Sequence, residues 1–174
     1  MLKIAVIIGS TRPNRKGEAV GKRVFEQAGK RGDAEYELID LKQVALPFLD
    51  EPRSPAQGDY AHAHTRDWSA RINAFDAFVI VTPEYNQGTC AALKNALDFL
   101  YNEWNDKAAG FVGYGGVGGA RAVTQLRTTA AALQMATVRP QVALMTATDW
   151  EHDVFKPHPR HEKALATVLD HLNA

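Results

Sequence analysis

The chain has 174 residues, of which 45% are hydrophobic and 23% charged, and its 20 lysines and arginines balance its 20 aspartates and glutamates. This composition is typical of one globular domain of ordinary size. A formal net charge of zero argues against a general nucleic-acid or membrane-surface binder, because both classes depend on an excess of positive charge.

Short apolar runs alternate with helical patterns along the chain. Continuous runs predict strands that are buried on both faces of a parallel sheet, and one weaker, alternating segment predicts an edge strand. In chain order, the predicted strands cover residues 4–8, 36–41, 78–81, 108–112 and 142–145. Apolar residues at spacings of three and four predict helices over residues 18–30, 65–75, 89–101, 119–135 and 161–172.

Five alternations of strand and helix predict a doubly wound α/β domain with helices on both faces of one five-stranded parallel sheet. Right-handed crossovers then favour the strand order 2-1-3-4-5. We expect residues 1–174 to form a single domain. Segment 42–64 contains three prolines and Gly58, and it is predicted to be a long irregular loop of the kind that covers a site or an interface.

The predicted sheet places the site before any motif is considered. In an open sheet of this order, ligands bind outside the carboxyl ends of the strands, where the winding reverses between the first and third strands. The loops that follow Ile8, Val81 and Val112 should therefore carry the functional residues.

The first of these loops is basic and rich in hydrogen-bond donors. It contains Ser10, Arg12, Arg15 and Lys16, followed by Gly17, and it leads into a helix whose N–H groups and dipole favour an anion. Arginine also matches the geometry of phosphate. The Gly-x4-Gly-Lys spacing of nucleotide-triphosphate loops is absent. The loop predicts a phosphate site, with a solvated basic turn as the alternative.

The second loop begins at Thr82. Pro83 should end the strand and leave the next backbone N–H groups free to face a ligand, with Tyr85 offering a flat apolar face. A simple strand-ending turn is the alternative. Cys90 lies near the start of the following helix, where a thiol pKa can be lowered, but a small buried filler is the favoured interpretation.

The third loop, 113–119, contains Gly-x-Gly-x-x-Gly. A dinucleotide fingerprint would lie in the first strand–helix turn and would be followed ~20 residues later by an acidic residue. This loop follows the fourth predicted strand, and residues 120–148 contain no aspartate or glutamate. The glycines instead predict close approach of the backbone to a planar ligand, with a purely structural turn as the alternative.

Three stretches, GSTRPNRKGEAVG, TPEYNQGTCAALKNALDFL and GFVGYGGVGGARAVTQLR, together resemble the NADPH-dependent FMN reductase family of flavodoxin-like proteins, which includes quinone, chromate and azo-dye reductases. The most specific part is Pro-Glu-Tyr-Asn followed by Leu-Lys-Asn-Ala. In two departures, Cys90 replaces a proline or small apolar residue, and Gly113 replaces a serine. The resemblance implies a flavodoxin-like fold with FMN held at the strand ends.

By that resemblance, each loop would hold one part of FMN. The phosphate would be bound by Ser10, Arg12, Arg15 and Gly17, and Lys16 is a further candidate from the same loop. The isoalloxazine would be lined by Pro83, Glu84, Tyr85 and Asn86. Its pyrimidine side would lie along Gly113, Tyr114, Gly115 and Gly116.

The resemblance implies an NAD(P)H-dependent oxidoreductase that passes hydride from NADPH or NADH through FMN to a small acceptor, such as a quinone, free flavin, chromate or an azo compound. No catalytic side chain is then expected, because the flavin carries the chemistry. Two alternatives stay open. A flavodoxin-like electron shuttle is usually acidic, whereas this chain is neutral, and a Rossmann dehydrogenase is weakened by the missing acidic residue.

Three further expectations concern metals, location and assembly. No metal site is expected, because no cysteine or carboxylate cluster joins the six histidines. The single cysteine, the lack of a signal-peptide pattern and the lack of a membrane-spanning run predict a cytoplasmic protein with no membrane or nucleic-acid partner. Apolar residues are spread widely around helix 89–101 and its extension to Trp104, which predicts a contact surface or, alternatively, burial beneath segment 42–64. The resemblance also implies a homodimer or homotetramer.

Overall fold

Five parallel strands form the centre of the computed structural model, which describes residues 1–174. The strands are β1 (Lys3–Ile8), β2 (Glu35–Asp40), β3 (Ala77–Pro83), β4 (Ala108–Gly115) and β5 (Ala136–Met145). They lie in the order β2-β1-β3-β4-β5, and every neighbouring pair is parallel. The predicted α/β class, flavodoxin-like fold and strand order are confirmed.

Helices cover both faces of the sheet. Five of the six are at the predicted places, and the short α2 was not predicted: α1 (Gly17–Gly29), α2 (Leu41–Val44), α3 (Ala63–Asn73), α4 (Ala91–Asp98), α5 (Ala120–Ala132) and α6 (Arg160–Asn173). Helices α1 and α6 pack on one face, whereas α3, α4 and α5 pack on the other. None of these helices combines the length and apolar character needed to cross a membrane.

Strand β1 shows why its apolar run is continuous rather than alternating. Ile4 and Val6 belong to the core beneath α1 and α6, whereas Ala5 and Ile7 belong to the core beneath α3, α4 and α5. Successive side chains of a strand point to opposite faces, and both faces of this sheet are covered. A central parallel strand therefore needs an apolar residue at every position.

The chain after α4 contradicts one sequence-based prediction. The predicted helix 89–101 ends at Asp98, and a 3-10 turn follows at Asn102–Trp104. Because the chain bends there, most of the apolar residues that would surround a straight helix enter the core. Phe99, Leu100 and Trp104 are fully buried, and Tyr101 packs against the core while partly buried. The Trp104 indole packs 4.9 Å from the Phe78 ring, centroid to centroid. The predicted contact surface on this helix is wrong, because its apolar residues are buried within one chain.

A second difference lies beyond β5, in a segment for which the sequence predicts no strand. Two short antiparallel strands, β6 (Trp150–Glu151) and β7 (Val154–Phe155), form a hairpin. Its two turn residues, His152 and Asp153, have φ values of 46° and 63°. Two-residue hairpin turns favour positive φ at both positions and usually contain Asn-Gly or Asp-Gly. The His-Asp pair carries no such signal, so the hairpin could not be recognised from its turn.

Candidate functional site

The three predicted loops meet at the carboxyl ends of β1, β3 and β4. They border an open cavity of about 650 Å³. The predicted residues that line it are Arg12, Arg15, Lys16, Pro83, Glu84, Tyr85, Tyr114 and Gly115. The cavity is also lined by Thr146, Trp150 and Asp153, which were not predicted to belong to the site. These three residues follow or end near β5, whose carboxyl end lies at the same edge of the sheet.

The start of α1 presents unpaired backbone donors to this cavity. No side chain caps the first turn of α1, and the N–H groups of Asn14, Arg15, Lys16 and Gly17 donate to no backbone carbonyl. Asn14 has φ 53°, so a left-handed residue precedes right-handed ones, which is an arrangement that turns successive N–H groups towards one anion. The first turn of a helix leaves such donors to a ligand or to water.

Arg15 adds a buried positive charge, and some of its N–H groups have no partner within the protein. Its side chain is only 3% exposed, and its Nη2 pairs with the Asp40 carboxylate and lies 3.5 Å from Glu18 Oε2. Its Nε and Nη1 are buried and have no hydrogen-bond partner. Buried donors are almost always satisfied in folded proteins, so these two N–H groups indicate a missing acceptor. A phosphate at the start of α1 fits them in charge and in chemistry.

The other two cations of this loop differ from Arg15. Arg12 is exposed and forms no ion pair, so its guanidinium is available at the cavity. Lys16 Nζ lies 2.7 Å from Asp153 Oδ1 and 5.4 Å from the centroid of the Trp150 ring. The hairpin therefore already supplies Lys16 with a carboxylate and an aromatic face.

Ser10 and Gly17 link the loops to one another. The Ser10 side chain is buried, and its Oγ lies 2.9 Å from Tyr85 Oη. A Cβ atom on Gly17 would lie 2.4 Å from Tyr114 Oη, so a glycine is needed where this ring meets α1. Burial, together with the neighbouring Tyr85, raises the pKa of Tyr114 well above its ordinary value, so its hydroxyl stays protonated.

In the second loop, backbone N–H groups that were predicted to be free are hydrogen-bonded within the protein. The N–H of Glu84 donates to the Tyr114 carbonyl at 3.1 Å, and the N–H of Tyr85 donates to the Gly88 carbonyl at 2.8 Å. The prediction that these N–H groups are free to face a ligand is therefore wrong. The reason is a tight reversal at Asn86 and Gln87, whose φ values are 50° and 68°. Pro83, Glu84 and Tyr85 still line the cavity, but the N–H groups of Glu84 and Tyr85 are already bonded within the protein.

The carboxylate of Glu84 has a structural partner. It is 6% exposed and accepts from Arg121 Nε at 2.6 Å and from the Arg121 N–H at 3.0 Å. Arg121 lies in the first turn of α5, where a negative charge stabilises the helix dipole. Glu84 thereby fixes the second loop to the start of α5.

The glycines of the third loop divide into two groups. A Cβ atom on Gly113 would lie 2.7 Å from the Gly118 carbonyl oxygen, and Gly118 and Gly119 have φ values of 68° and 71°. These three serve the turn itself. Gly115 lines the cavity, and nothing lies within 4 Å of a Cβ built on Gly116, whose N–H donates to no backbone carbonyl. A ligand can therefore approach the backbone closely at Gly115 and Gly116.

Cysteine and histidine contribute no reactive or metal-binding group here. Cys90 is buried, and burial raises the pKa of its thiol. No cluster of three or more histidine, cysteine, aspartate or glutamate side chains is arranged to hold a metal ion. His62 and His64 stack on each other at 5.2 Å, and both approach Asp50.

Several known proteins are similar to this chain. The family model of NADPH-dependent FMN reductase matches residues 2–149. An NAD(P)H-dependent FMN reductase of Schizosaccharomyces pombe is 42% identical over 146 residues, which are 83% of this chain and 72% of that protein. An NAD(P)H-dependent FMN reductase of Saccharomyces cerevisiae is 41% identical over 145 residues, which cover 77% of this chain and 76% of that protein. The solved structure of FerB, a flavoenzyme NAD(P)H:(acceptor) oxidoreductase of Paracoccus denitrificans, superimposes with a TM-score of 0.78 at 25% identity and covers 99% of this chain and 96% of that one.

Proposed function

The chain belongs to the NADPH-dependent FMN reductase family, and on this premise we propose that it passes hydride from NADPH or NADH, by way of bound FMN, to a small acceptor: a quinone, free flavin, chromate or an azo compound. It is an NAD(P)H-dependent FMN oxidoreductase, and the proposal adds the class of acceptor. The breadth of that class rests on the openness of the cavity, which is about 650 Å³: FMN would fill part of it, and the ring face left exposed would receive the acceptor.

The observation that carries the proposal is the set of unsatisfied donors at the start of α1. The buried Nε and Nη1 of Arg15, the N–H groups of residues 14–17 and the free guanidinium of Arg12 would together hold the FMN phosphate. Ser10 would act indirectly, because its hydroxyl is shared with Tyr85. When bound, FMN would supply the hydride chemistry, and the protein supplies binding and orientation.

The remaining predicted residues are proposed to surround the ring. Pro83, Tyr85 and the backbone of Glu84 border the cavity on one side, with Asn86 at the exposed tip of the same loop. Gly115 and Tyr114 border it on the other. The N–H of Gly116 is free to donate to the pyrimidine edge, and Gly113 would support this loop from within the sheet. Preorganised donors of this kind stabilise negative charge that develops during a reaction.

The test begins with the colour of the purified protein. It should be yellow or become yellow with added FMN, and NADPH or NADH should bleach it in the absence of oxygen. Steady-state rates with a quinone, free FMN, chromate and an azo dye, each with both nicotinamides, would then rank acceptors and donors. A bound flavin that neither nicotinamide reduces, but that a partner protein reduces, would contradict the proposal and favour an electron shuttle.

We further propose that one chain is a single cytoplasmic FMN-binding domain that assembles into a homodimer or homotetramer. Phe48 supports the assembly. Asn95 Nδ2 donates to the Pro47 carbonyl at 2.8 Å, and Asn95 Oδ1 accepts from the Leu49 N–H at 3.0 Å. The backbone is thus held on both sides of Phe48, whose side chain is 85% exposed. Leu49 beside it is 42% exposed, so the two side chains form an exposed apolar patch of the kind that a second subunit would cover.

A further inference from the structure

The hairpin Trp150–Phe155 forms a wall of the cavity that the loop motifs do not include. The match to the family model ends at residue 149, one residue before the hairpin begins. Trp150 and Asp153 nevertheless line the same cavity as the basic loop. The Trp150 ring centroid lies 6.2 Å from that of Tyr114 and 4.8 Å from that of Phe155, so the hairpin packs directly against the site.

The base of this hairpin is held firmly. Asp149 is fully buried, and its carboxylate accepts from the N–H groups of Met145 at 2.8 Å and His158 at 3.1 Å. His161 Nε2 lies 3.0 Å from the same carboxylate. Buried hydrogen bonds to a charged group are among the stronger ones in proteins. One side chain therefore joins the two ends of the segment that carries the hairpin.

The basic loop, in contrast, has almost no bonds of its own. Within residues 11–16 no N–H donates to a backbone carbonyl, and the one side-chain acceptor is Ser10 Oγ, 3.4 Å from the Arg12 N–H. Arg15 Nη2 lies 3.5 Å from Glu18 in the first turn of α1, and two ion pairs join the loop to more distant parts of the chain. Arg15 pairs with Asp40 at the end of β2, and Lys16 pairs with Asp153 of the hairpin. These carboxylates lie at opposite ends of the strand order, because β2 is one edge of the sheet and the hairpin follows β5, the other edge.

We propose that the hairpin is a brace for the phosphate-binding turn: through Lys16, Asp153 and Trp150 hold residues 13–17 in the shape that receives the FMN phosphate. The inference rests on the proposed function of this loop. Its physical basis is preorganisation. A turn whose N–H groups are left free for a ligand has few hydrogen bonds of its own, so it loses conformational entropy when the ligand binds unless another contact already fixes it. The brace should therefore strengthen the binding of phosphate-bearing flavin but not of riboflavin, which lacks the phosphate.

The test compares two variants of the same hairpin. Asp153→Asn removes the tether to Lys16, and Glu151→Gln removes an equal charge whose partner is Lys156 on the hairpin itself. Fluorescence titration of the apoprotein at 0.15 M salt gives the Kd for FMN and for riboflavin. Relative to Glu151→Gln, Asp153→Asn should raise the Kd for FMN about two- to fivefold, as expected for the loss of an exposed ion pair. The Kd for riboflavin should be the same in both variants. Asp153→Glu should restore FMN binding.

A second measurement does not depend on flavin. Backbone ¹⁵N order parameters of the apoprotein should fall at residues 14–17 in Asp153→Asn, from about 0.85 towards 0.6, and stay unchanged in Glu151→Gln. In a Lys16→Met background, Asp153→Asn should have no further effect on either measurement, because the two residues act as one tether.

The outcomes separate this inference from the proposed function. A wild-type apoprotein that takes up no FMN contradicts the proposed function. A wild-type protein that binds FMN, with Asp153→Asn equal to Glu151→Gln in affinity and order parameters, overturns the brace alone. Tighter FMN binding by Asp153→Asn than by Glu151→Gln overturns it as well, because Asp153 would then compete with the phosphate for Lys16.

Discussion

Replacing Arg15 with methionine separates the two roles that the structure gives to its guanidinium. Methionine keeps an unbranched side chain of similar length, so packing changes little, but the charge and every donor are lost. In the native protein the Arg15 side chain is 3% exposed and the Asp40 side chain 12% exposed. The substitution therefore leaves a largely buried carboxylate without its cation. It also removes two buried donors that have no partner within the protein and that are proposed to bind the phosphate.

The two losses have different sizes. Breaking a fully buried ion pair costs roughly 3–5 kcal/mol. Asp40 is partly exposed and still accepts from the Lys42 N–H at 3.0 Å, so we expect a loss of about 1–3 kcal/mol in the free energy of unfolding. Hydrogen bonds from a charged donor to the phosphate contribute about 1.5–3 kcal/mol, which corresponds to roughly 10- to 100-fold in the Kd for FMN.

Urea denaturation and flavin titration measure the two effects separately. The matched control is Asp40→Asn, which breaks the same ion pair but keeps the guanidinium. It should lose stability as Arg15→Met does, yet retain FMN binding. Riboflavin should bind equally to both variants, because it has no phosphate. If folded Arg15→Met binds FMN within about twofold of the native protein, the reasoning about the phosphate site is refuted.

Three further predictions follow from single contacts. Gly17→Ala should lower the unfolding free energy by about 1–2 kcal/mol in urea denaturation, because its Cβ would lie 2.4 Å from Tyr114 Oη. Gly29→Ala, at the other end of α1 with open space around it, should instead raise the unfolding free energy by up to about 1 kcal/mol. If both variants changed the unfolding free energy equally, the proposed clash between a Cβ at residue 17 and Tyr114 would be contradicted. Burial raises the pKa of Asp149, but the N–H groups of His158 and Met145 and the nearby His161 outweigh it, so its pKa is lower than usual. Its ionised form therefore contributes stability that is complete above about pH 4 and is lost as the pH falls through the lowered pKa. The stability difference between the native protein and Asp149→Asn, from urea denaturation, should shrink below that pH, and a constant difference would oppose this account. Phe48→Ser should shift the native oligomer towards monomer in analytical ultracentrifugation without loss of stability, because the ring is 85% exposed, and a native protein that is monomeric at micromolar concentration would rule out the proposed assembly.

The strands and the position of the site were predictable because both depend on short-range patterns. A run such as Ile4–Val6–Ile8 reports burial on both faces by itself. The loops after such strands must lie at one edge of the sheet, and this placed Arg15, Tyr85 and Gly115 around one cavity. The apolar residues after Asp98 were misinterpreted because a helix wheel assumes a straight helix, whereas the chain bends there.

The sequence by itself determined the five-stranded sheet and its strand order, five of the six helices, the family, and three of the segments that line the cavity. Only the tertiary structure decided which donors in those loops stay free. Ser10 meets Tyr85 across 75 positions, Glu84 meets Arg121 across 37, and Lys16 meets Asp153 across 137. The physical reason is that a polar group forms its hydrogen bond or ion pair with whichever partner the packed elements bring within about 3 Å of it. No local sequence pattern identifies a partner so distant in the chain.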